Sequence, residues 1–220
     1  MGIETQVIRF RKFTDFSAVD IDADWRSVDY CALDLETTGL DLRNDEIVSI
    51  GTAQIHLGRV VTERNFYREV RPRTRPSSES IQVHGLRAID LERAAPIESL
   101  VPELSMQIGD KVVIAHAAWI ERAFLKRHLK STGLNFARPM IDTAALARAL
   151  GVVNQSNARE PSLELLARSL NLPVYAPHNA LGDALTTAVV FLALATGLER
   201  NSGLEGGPYL SLRTLLAMSA

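Results

Sequence analysis

The order of short apolar segments along this chain of 220 residues constrains its fold more than any other feature. Residues 30–35, YCALDL, have the length and the continuous apolar character of a buried strand. Residues 46–57 and 60–70 follow; both are rich in β-branched side chains, and they are joined near Gly58. Two such stretches with a glycine between them predict a hairpin, so the first three strands predict an antiparallel meander.

From about residue 78 the pattern changes to helices that alternate with short strands. Residues 111–115 and 139–143 are two further strand-like segments. A helix that begins at Pro96 and ends at Gly109 precedes the first of them, and a helix that ends at Gly133 lies between the two. More helices follow toward the C-terminus. This order predicts an α/β fold: a mixed five-stranded sheet, with an antiparallel meander plus parallel strands, flanked by helices.

The ends of the chain differ from its middle. We divide the sequence into an N-terminal extension (1–27), one domain (28–197) and a C-terminal tail with a short helix (198–220). The start, MGIETQVIRFRKF, carries charges where a secretory peptide has its apolar stretch. No segment approaches the run of about 18 apolar residues that a membrane span requires. We therefore expect a cytoplasmic protein with no membrane contact.

The charge balance limits the kind of partner. The net charge is −2, whereas proteins that wrap duplex DNA usually carry a clear basic excess. Contact with a nucleic acid would therefore be short and local, as in gripping a strand end. Two stretches concentrate basic side chains, and most of them are expected to be solvated: Arg64, Arg68, Arg71, Arg73 and Arg75 in one, and Arg122, Lys126, Arg127 and Lys130 in the other.

Two carboxylates stand at the end of the first predicted strand. Asp34 and Glu36 are two residues apart, so their side chains project from the same face of a strand. Like charges held side by side are costly unless a cation lies between them, and oxygen ligands suit Mg²⁺ or Mn²⁺. An ordinary acidic pair on the surface is the alternative. The following TTGL places hydroxyls, backbone amides and a turn glycine beyond the pair, as an ordinary turn at the end of a strand also would.

A second polar feature, HNALGD, precedes the long apolar segment near the C-terminus. Asp183 lies at the start of that predicted helix, where a carboxylate can also act only as a cap. His178 lies in the loop before it. A loop histidine is usually just solvated, but an imidazole is also the best proton acceptor at neutral pH for an attacking water.

Taken together, the segments DLETTGL, HAAWIERAFL and HNALGDA resemble the DEDDh exonuclease family, the DnaQ-like group that includes proofreading subunits of DNA polymerase III. The resemblance covers roughly residues 28–197, in the family's order and at ordinary spacing, and IQVHGL at residues 81–86 adds to it. The family's fold is ribonuclease H-like, which agrees with the strand order above. The domain at 28–197 is thus expected to be an exonuclease domain.

The resemblance implies a role for individual residues. Four carboxylates would hold two divalent cations, Mg²⁺ or Mn²⁺, and His178 would be the general base. Positions that contact the terminal nucleotide are matched by Thr37, Gly39 and Leu40, with Leu40 as an apolar wedge, and His84 matches a residue near the scissile end. Asp142 matches a recurrent family aspartate, although we favour a role as the cap of the following helix. The implied metal ligands are Asp34, Glu36, Glu121 and Asp183.

The second motif departs from the family's pattern. Where the family reads HNxxFD, this chain has His116-Ala-Ala-Trp-Ile-Glu121, so the asparagine is Ala117 and the acid is a glutamate. Glutamate keeps the charge and is one methylene longer, so it can reach a cation directly or through water if its helix lies further back. The alternative is that Glu121 is a surface residue and the site lacks its fourth carboxylate.

The function that the resemblance implies is 3′→5′ exonuclease activity by a two-metal mechanism, with nucleoside 5′-monophosphates released from a single-stranded or frayed 3′ end of DNA or RNA. The alternative is a catalytically weak module that binds nucleic-acid ends or a protein. Proofreading within a polymerase complex also stays open, although no clamp-binding motif rich in Gln, Leu and Phe is evident. Neither the sugar preference nor the oligomeric state follows from the sequence.

Overall fold

The computed structural model describes residues 16, 19–153, 161–201 and 209–219. The strands are β1 (Tyr30–Thr37), β2 (Ile47–His56), β3 (Arg59–Glu69), β4 (Val112–Ala115) and β5 (Met140–Asp142). The helices are α1 (Ser78–His84), α2 (Ala88–Leu91), α3 (Ile97–Ile108), α4 (Trp119–Lys130), α5 (Thr143–Leu150), α6 (Leu163–Ser169), α7 (Ala180–Asn201) and α8 (Leu212–Met218).

The five strands form one sheet in the order β3-β2-β1-β4-β5. Strands β1, β2 and β3 pair antiparallel, and β4 and β5 join β1 in parallel, which confirms the predicted mixed sheet. The β2–β3 hairpin turns at Leu57 and Gly58, which both have positive φ (48° and 69°). A two-residue turn of this handedness matches the twist of the flanking strands.

The sheet separates two apolar layers, and the side chains of β1 alternate between them. Tyr30 and Ala32 pack in the layer that contains α7, whereas Cys31, Leu33 and Leu35 pack in the layer that contains α3 and α4. The same alternation turns the side chains of residues 34 and 36 toward α7. The strand pattern therefore decides which helix meets the two carboxylates.

Helix α7 is the central helix of the first layer. Its length and composition would allow it to cross a membrane, so the expectation that no segment is long and apolar enough was wrong. The reason is that α7 packs in the protein interior, where Ala188, Phe191 and Leu194 are fully buried, so a helix of this kind carries the apolar composition of a core element. Its apolar residues contact β1, β2 and α5 rather than presenting one continuous outer surface.

The described parts of the two ends of the chain pack together on this first layer. Trp25 is 2% exposed and meets Phe191 edge to face, with ring centroids 5.8 Å apart. The Arg26 guanidinium donates to Glu199, at 2.6 Å, and the backbone of Trp25 bonds to Leu210. The boundaries at residues 27 and 197 thus stay a prediction, while α7 itself continues to Asn201 and the terminal segments share its core.

Candidate active site

Three carboxylates meet where β1 passes the first turn of α7. Each of Asp34, Glu36 and Asp183 offers one oxygen, and these oxygens lie within 4.8 Å of one another. The two from β1 point the same way because they are two residues apart in the strand. The cap of α7 is Asn179, whose side chain accepts from the backbone of the first turn. Because Asn179 accepts these N–H groups, α7 does not need Asp183 as its cap, and the Asp183 carboxylate belongs to the cluster.

Two glycines allow α7 to approach the sheet and its own preceding loop. Gly51 lies opposite Asp34 in the β1–β2 register, and a Cβ atom there would overlap the backbone of Ala180. A Cβ atom on Gly182 would overlap the carbonyl oxygens of the loop at Ala176. Sequence reasoning missed both residues, because a glycine in a strand or helix indicates a close approach without identifying what approaches.

Burial raises the pKa of every carboxyl group in this cluster, and repulsion by neighbouring carboxylates of the site adds to the effect for Asp34 and Glu36. The pKa of Asp34 lies well above its ordinary value, first because the group is removed from water and then because Glu36, Glu121 and Asp183 are close. Burial, with Asp183 nearby, raises the pKa of Glu36 to about 7. The pKa of Asp183 is also raised by burial. Without a cation the cluster is strained electrostatically, so its oxygen donors fit a hard divalent ion.

Glu121 supplies a fourth carboxyl group from the first turn of α4. Its side chain is 5% exposed, and Oε2 has no hydrogen-bond partner among the described residues. Burial is the main reason why its pKa rises to about 8, with Asp142 and Glu36 adding to it. Glu121 is not a surface residue, so that part of the alternative was wrong, whereas its role as a fourth metal ligand stays a prediction. It lies near the cluster but outside the group of three oxygens that are within 4.8 Å.

His178 lies in the loop that leads into α7, with its side chain exposed to solvent. Its backbone is left-handed (φ 60°), as is that of Ala176 (φ 30°), which is uncommon for residues other than glycine. The His178 N–H donates to Asp183 Oδ2 at 2.9 Å. This bond ties the loop to the carboxylate cluster, so the backbone of the predicted base lies beside Asp183, one of the predicted metal ligands.

A pocket of about 350 Å³ opens beside Glu36. Its walls include the TTGL loop and α1, and its most exposed apolar groups are Leu40 (77%) and Val83 (51%). Thr37 and Gly39 line it as well, with the Thr37 hydroxyl donating to the Gly39 carbonyl at 2.7 Å. Exposed apolar groups around a pocket of this size suit the flat face of a nucleic-acid base.

His84 lines the same pocket, but both of its ring nitrogens are engaged within the protein. Nδ1 accepts from the Leu86 N–H at 3.0 Å, and Nε2 lies 3.2 Å from the Thr37 carbonyl, to which it can only donate. Burial lowers the pKa of His84, which agrees with a neutral ring. His84 therefore offers the pocket its ring surface and braces the loop that follows β1.

Asp142 and His116 hold the second motif in place. Asp142 Oδ1 accepts from the N–H of Ala144, at 2.9 Å, and from that of Ala117, at 3.0 Å, which confirms the capping role. The His116 ring bonds to Thr143 and to the backbone of Pro161. Ala117, the position of the family's asparagine, is left-handed (φ 54°). These contacts fix the start of α4 and with it the position of Glu121.

Comparisons with known proteins agree with this geometry. A family model described as an exonuclease, RNase_T, matches residues 31–191. A DNA polymerase III PolC-type protein of Thermotoga maritima is 36% identical over 180 residues, which are 81% of this chain but only 13% of that protein. The chain thus matches a small part of a much longer relative.

Solved structures of exonucleases share the fold. A structure of exonuclease X in complex with 5′ overhanging duplex DNA has a TM-score of 0.65 at 22% identity and covers 87% of this chain and 99% of that one. The nuclease domain of 3′hExo, a DEDDh family member bound to rAMP, has a TM-score of 0.66 at 19% identity and covers 79% and 94%. At these identities the likeness concerns the fold, and it confirms the predicted ribonuclease H-like arrangement.

Proposed function

The chain belongs to the exonuclease family, and from that membership we propose that it removes nucleotides one at a time from the 3′ end of a nucleic-acid strand. Each cycle would hydrolyse the last phosphodiester bond and release a nucleoside 5′-monophosphate. The observation that carries the proposal is the convergence of one oxygen each from Asp34, Glu36 and Asp183 within 4.8 Å, beside a pocket of about 350 Å³ that Glu36 also lines.

Two divalent cations, Mg²⁺ or Mn²⁺, are the cofactors that this donor set fits. Asp34, Glu36 and Asp183 would hold them directly, and Glu121 would reach them directly or through a water. The buried, unpartnered Oε2 of Glu121 supports this role, because such an atom is costly unless a cation or a water completes its contacts. Bound cations would neutralise charge on the phosphodiester and make water more acidic.

The remaining groups act on the substrate itself. The exposed His178 imidazole, tied to Asp183 through its own backbone, would take the proton of the attacking water. Leu40 and Val83 would hold the terminal base by apolar contact, with Leu40 as the wedge against its neighbour. The ring of His84 would close the same pocket. In this arrangement hydrolysis would require a free 3′ end, because only the last nucleotide of a strand would enter the pocket.

The substrate would be a single-stranded or frayed 3′ end. The relatives support both kinds of nucleic acid: one solved structure holds duplex DNA with a 5′ overhang, and another holds rAMP. The likeness to PolC-type polymerases supports a polymerase as a protein partner. A proofreading or repair role in the cytoplasm is part of the proposal.

A catalytically weak binding module is the second candidate, and one observation favours it. The second motif has lost its asparagine, and its acid lies outside the group of three close carboxylates. If Glu121 does not support a second cation, the chain would still bind strand ends in the pocket but would hydrolyse them slowly.

Digestion of end-labelled oligomers tests the proposal. Matched single-stranded DNA and RNA of one sequence, labelled at the 5′ end, would be incubated with Mg²⁺, with Mn²⁺ and with EDTA. We expect a ladder that shortens from the 3′ end, release of 5′-monophosphates, and no product in EDTA. The Asp34→Asn and Asp183→Asn variants, purified in the same way as the wild type, should both be inactive. Activity that survives in EDTA or in both variants would contradict the proposal, and binding without hydrolysis would favour the module.

A further inference from the structure

A second polar cavity, of about 380 Å³, lies on the other face of the sheet. Its apolar floor includes Ile47, Val70 and Ile97, which belong to the layer of α3 and α4 rather than to the layer of α7. The carboxylate cluster is not part of its lining. We call it the arginine groove, because four guanidinium groups line it: Arg43, Arg71, Arg73 and Arg127.

The acidic groups of the groove are already engaged. Glu46 Oε2 accepts from the backbone of Thr74 at 2.7 Å and from its hydroxyl at 3.1 Å. Glu98 pairs with the Arg73 guanidinium at 2.8 Å. Both carboxylates therefore stabilise the walls of the groove.

Three of the guanidinium groups lack such a partner. Within the described part of the chain, no carboxylate lies within salt-bridge distance of Arg43, Arg71 or Arg127. Nη2 of Arg127 is buried and has no hydrogen-bond partner among the described residues. Buried donors are normally satisfied, and arginine forks match phosphate oxygens. The groove thus has the chemistry of a phosphate-binding site.

The groove and the nucleotide pocket are lined by successive segments of the same two stretches of chain. The loop after β1 lines the pocket at Thr37–Leu40 and the groove at Arg43–Glu46. The opposite walls also follow one another along the chain, with residues 71–73 in the groove and 77–84 in the pocket. Along the loop, the order is carboxylates, then pocket, then groove. The Thr38 N–H donates to the Glu46 carbonyl at 2.8 Å, and the Ser77 N–H donates to the Thr38 carbonyl at 2.9 Å, so the groove adjoins the pocket in space as well as along the chain.

We propose that the arginine groove binds the phosphate backbone of the strand complementary to the one that is cleaved, where that strand continues as a 5′ overhang. This inference rests on the proposed function, which places a 3′ end in the pocket. The cleaved strand ends there, so it has no phosphate left to reach the groove. In a duplex with a recessed 3′ end, only the complementary strand continues past that point. The exposed Leu40 lines the pocket, and Arg43 of the same loop lines the groove.

The distribution of charge agrees with this assignment. Both basic stretches of the sequence contribute to the groove, residues 71 and 73 from one and residue 127 from the other. The chain as a whole has a net charge of −2, so it lacks the basic excess for general binding along a duplex. A local cluster beside the pocket instead gives affinity for one kind of end. The protein would then prefer recessed 3′ ends to single strands.

The unmodified protein gives the first test. Duplexes with one identical 3′ end and 5′ overhangs of 0, 2, 5 and 10 nucleotides would be compared with the single strand in the presence of Mg²⁺. We expect KM to fall as the overhang lengthens and then to level off, and KM for the longest overhang to rise most steeply with salt. A KM that does not depend on the overhang would overturn the proposal.

Charge reversal in the groove gives the second test. Arg43→Glu combined with Arg71→Glu changes two exposed groups that make no salt bridge within the described residues. On the 10-nucleotide overhang we expect KM to rise about tenfold and the salt slope to shrink by about one to two, as for two lost phosphate contacts. KM on the single strand should stay the same. The matched control, Arg59→Glu with Arg64→Glu, reverses two exposed charges on β3, outside the groove. It should change neither KM nor the salt slope on either substrate.

A small substrate separates failure of this inference from failure of the proposed function. The p-nitrophenyl ester of thymidine 5′-monophosphate occupies only the pocket, so its hydrolysis should be equal in the wild type, the groove variant and the control. An equal rise of KM on single strand and overhang would overturn the assignment to the complementary strand. If the wild type hydrolyses nothing, fluorescence anisotropy with labelled duplexes in EDTA still measures the groove, and equal affinity for wild type and groove variant would overturn it.

Discussion

At the scale of single residues, the sequence predicted the carboxylates of β1 better than the fourth acid. The pleat of a strand places Asp34 and Glu36 on one face wherever the strand lies, so their proximity follows from local geometry. Glu121 sits at the start of a helix, and helix starts on the surface are often acidic. Its burial depends on how α4 packs against β1, which no local pattern contains.

His178 offers a residue-scale prediction about the proton acceptor. His178→Asn removes the imidazole but keeps a side chain that tolerates the left-handed backbone (φ 60°) of this position. We expect kcat to fall on the order of 10²–10⁴-fold, as for a lost general base, while Mn²⁺ affinity stays within a few-fold. Steady-state kinetics and Mn²⁺ titration calorimetry measure the two quantities. Equal kcat in the variant would remove His178 from this role.

The raised carboxyl pKa values predict how pH affects the stability of the metal-free protein. In the folded chain Glu121 keeps its proton up to about pH 8, whereas the unfolded chain releases it near the ordinary value of 4.5. Its contribution to the free energy of unfolding is therefore complete below 4.5 and is lost as pH rises toward 8. Glu36, with a pKa of about 7, adds to the same trend.

Thermal unfolding in EDTA checks this trend. Tm of the wild type should fall between about pH 5 and pH 8, and Glu121→Gln, which cannot ionise, should fall less. Mg²⁺ at pH 8 should restore Tm in the wild type more than in the variant. A metal-free Tm that rises across this range in the wild type would contradict the pKa assignment.

At the scale of secondary-structure elements, the positions of proline and glycine predicted where several of the helices begin or end. Pro96 and Gly109 flank α3, Gly133 follows α4, and Gly151 ends α5 in the left-handed conformation (φ 74°). Composition alone was less informative for α7, because an apolar core helix and a membrane helix look alike until packing is known. The close approach of α7 to β2 at Gly51 was also not predicted, because the sequence does not show which element lies against this glycine.

Substitution of this glycine tests whether the approach of α7 forms the site. Gly51→Ala places a methyl group against the backbone of Ala180, and backbone cannot move aside as a side-chain end can. We expect a loss of about 1–3 kcal/mol in the free energy of unfolding and at least a tenfold loss of kcat. Both are measured on the purified variant, by denaturant unfolding and by nucleotide release.

Gly197→Ala is the matched control in α7. The new methyl group meets only the flexible end of Leu150, with Cδ2 at 2.7 Å. Activity should stay at the wild-type level in this control. Full activity in Gly51→Ala would show that the carboxylates meet without this close contact.

At the scale of the whole molecule, the alternation of strands and helices predicted the sheet and its layers. It did not predict that the segment around Trp25 and helix α8 share the core of α7, because contacts between distant ends of a chain leave no local pattern. The bond between Arg26 and Glu199 spans 173 residues. In the other layer, contacts between distant segments likewise bring two separate basic stretches into one groove.

Removal of the terminal segments tests their part in the core. A chain restricted to residues 28–201 loses Trp25 and Leu212, both buried beside α7. Losing one large buried side chain typically costs about 3–5 kcal/mol, so we expect a strongly reduced Tm or no cooperative unfolding. Differential scanning calorimetry of both chains measures this. An unchanged Tm would show that residues 28–201 are sufficient and that the division near residue 27 is a true domain boundary.

The central claim is that Asp34, Glu36 and Asp183, with Glu121 behind them, hold divalent cations beside a pocket for the last nucleotide. Anomalous X-ray diffraction from crystals that contain Mn²⁺ and a nucleoside 5′-monophosphate tests it most directly. We predict two anomalous peaks about 3.5–4 Å apart among these carboxylates, with the base against Leu40. Crystals at saturating Mn²⁺ that show no anomalous peak among Asp34, Glu36 and Asp183 would contradict the claim.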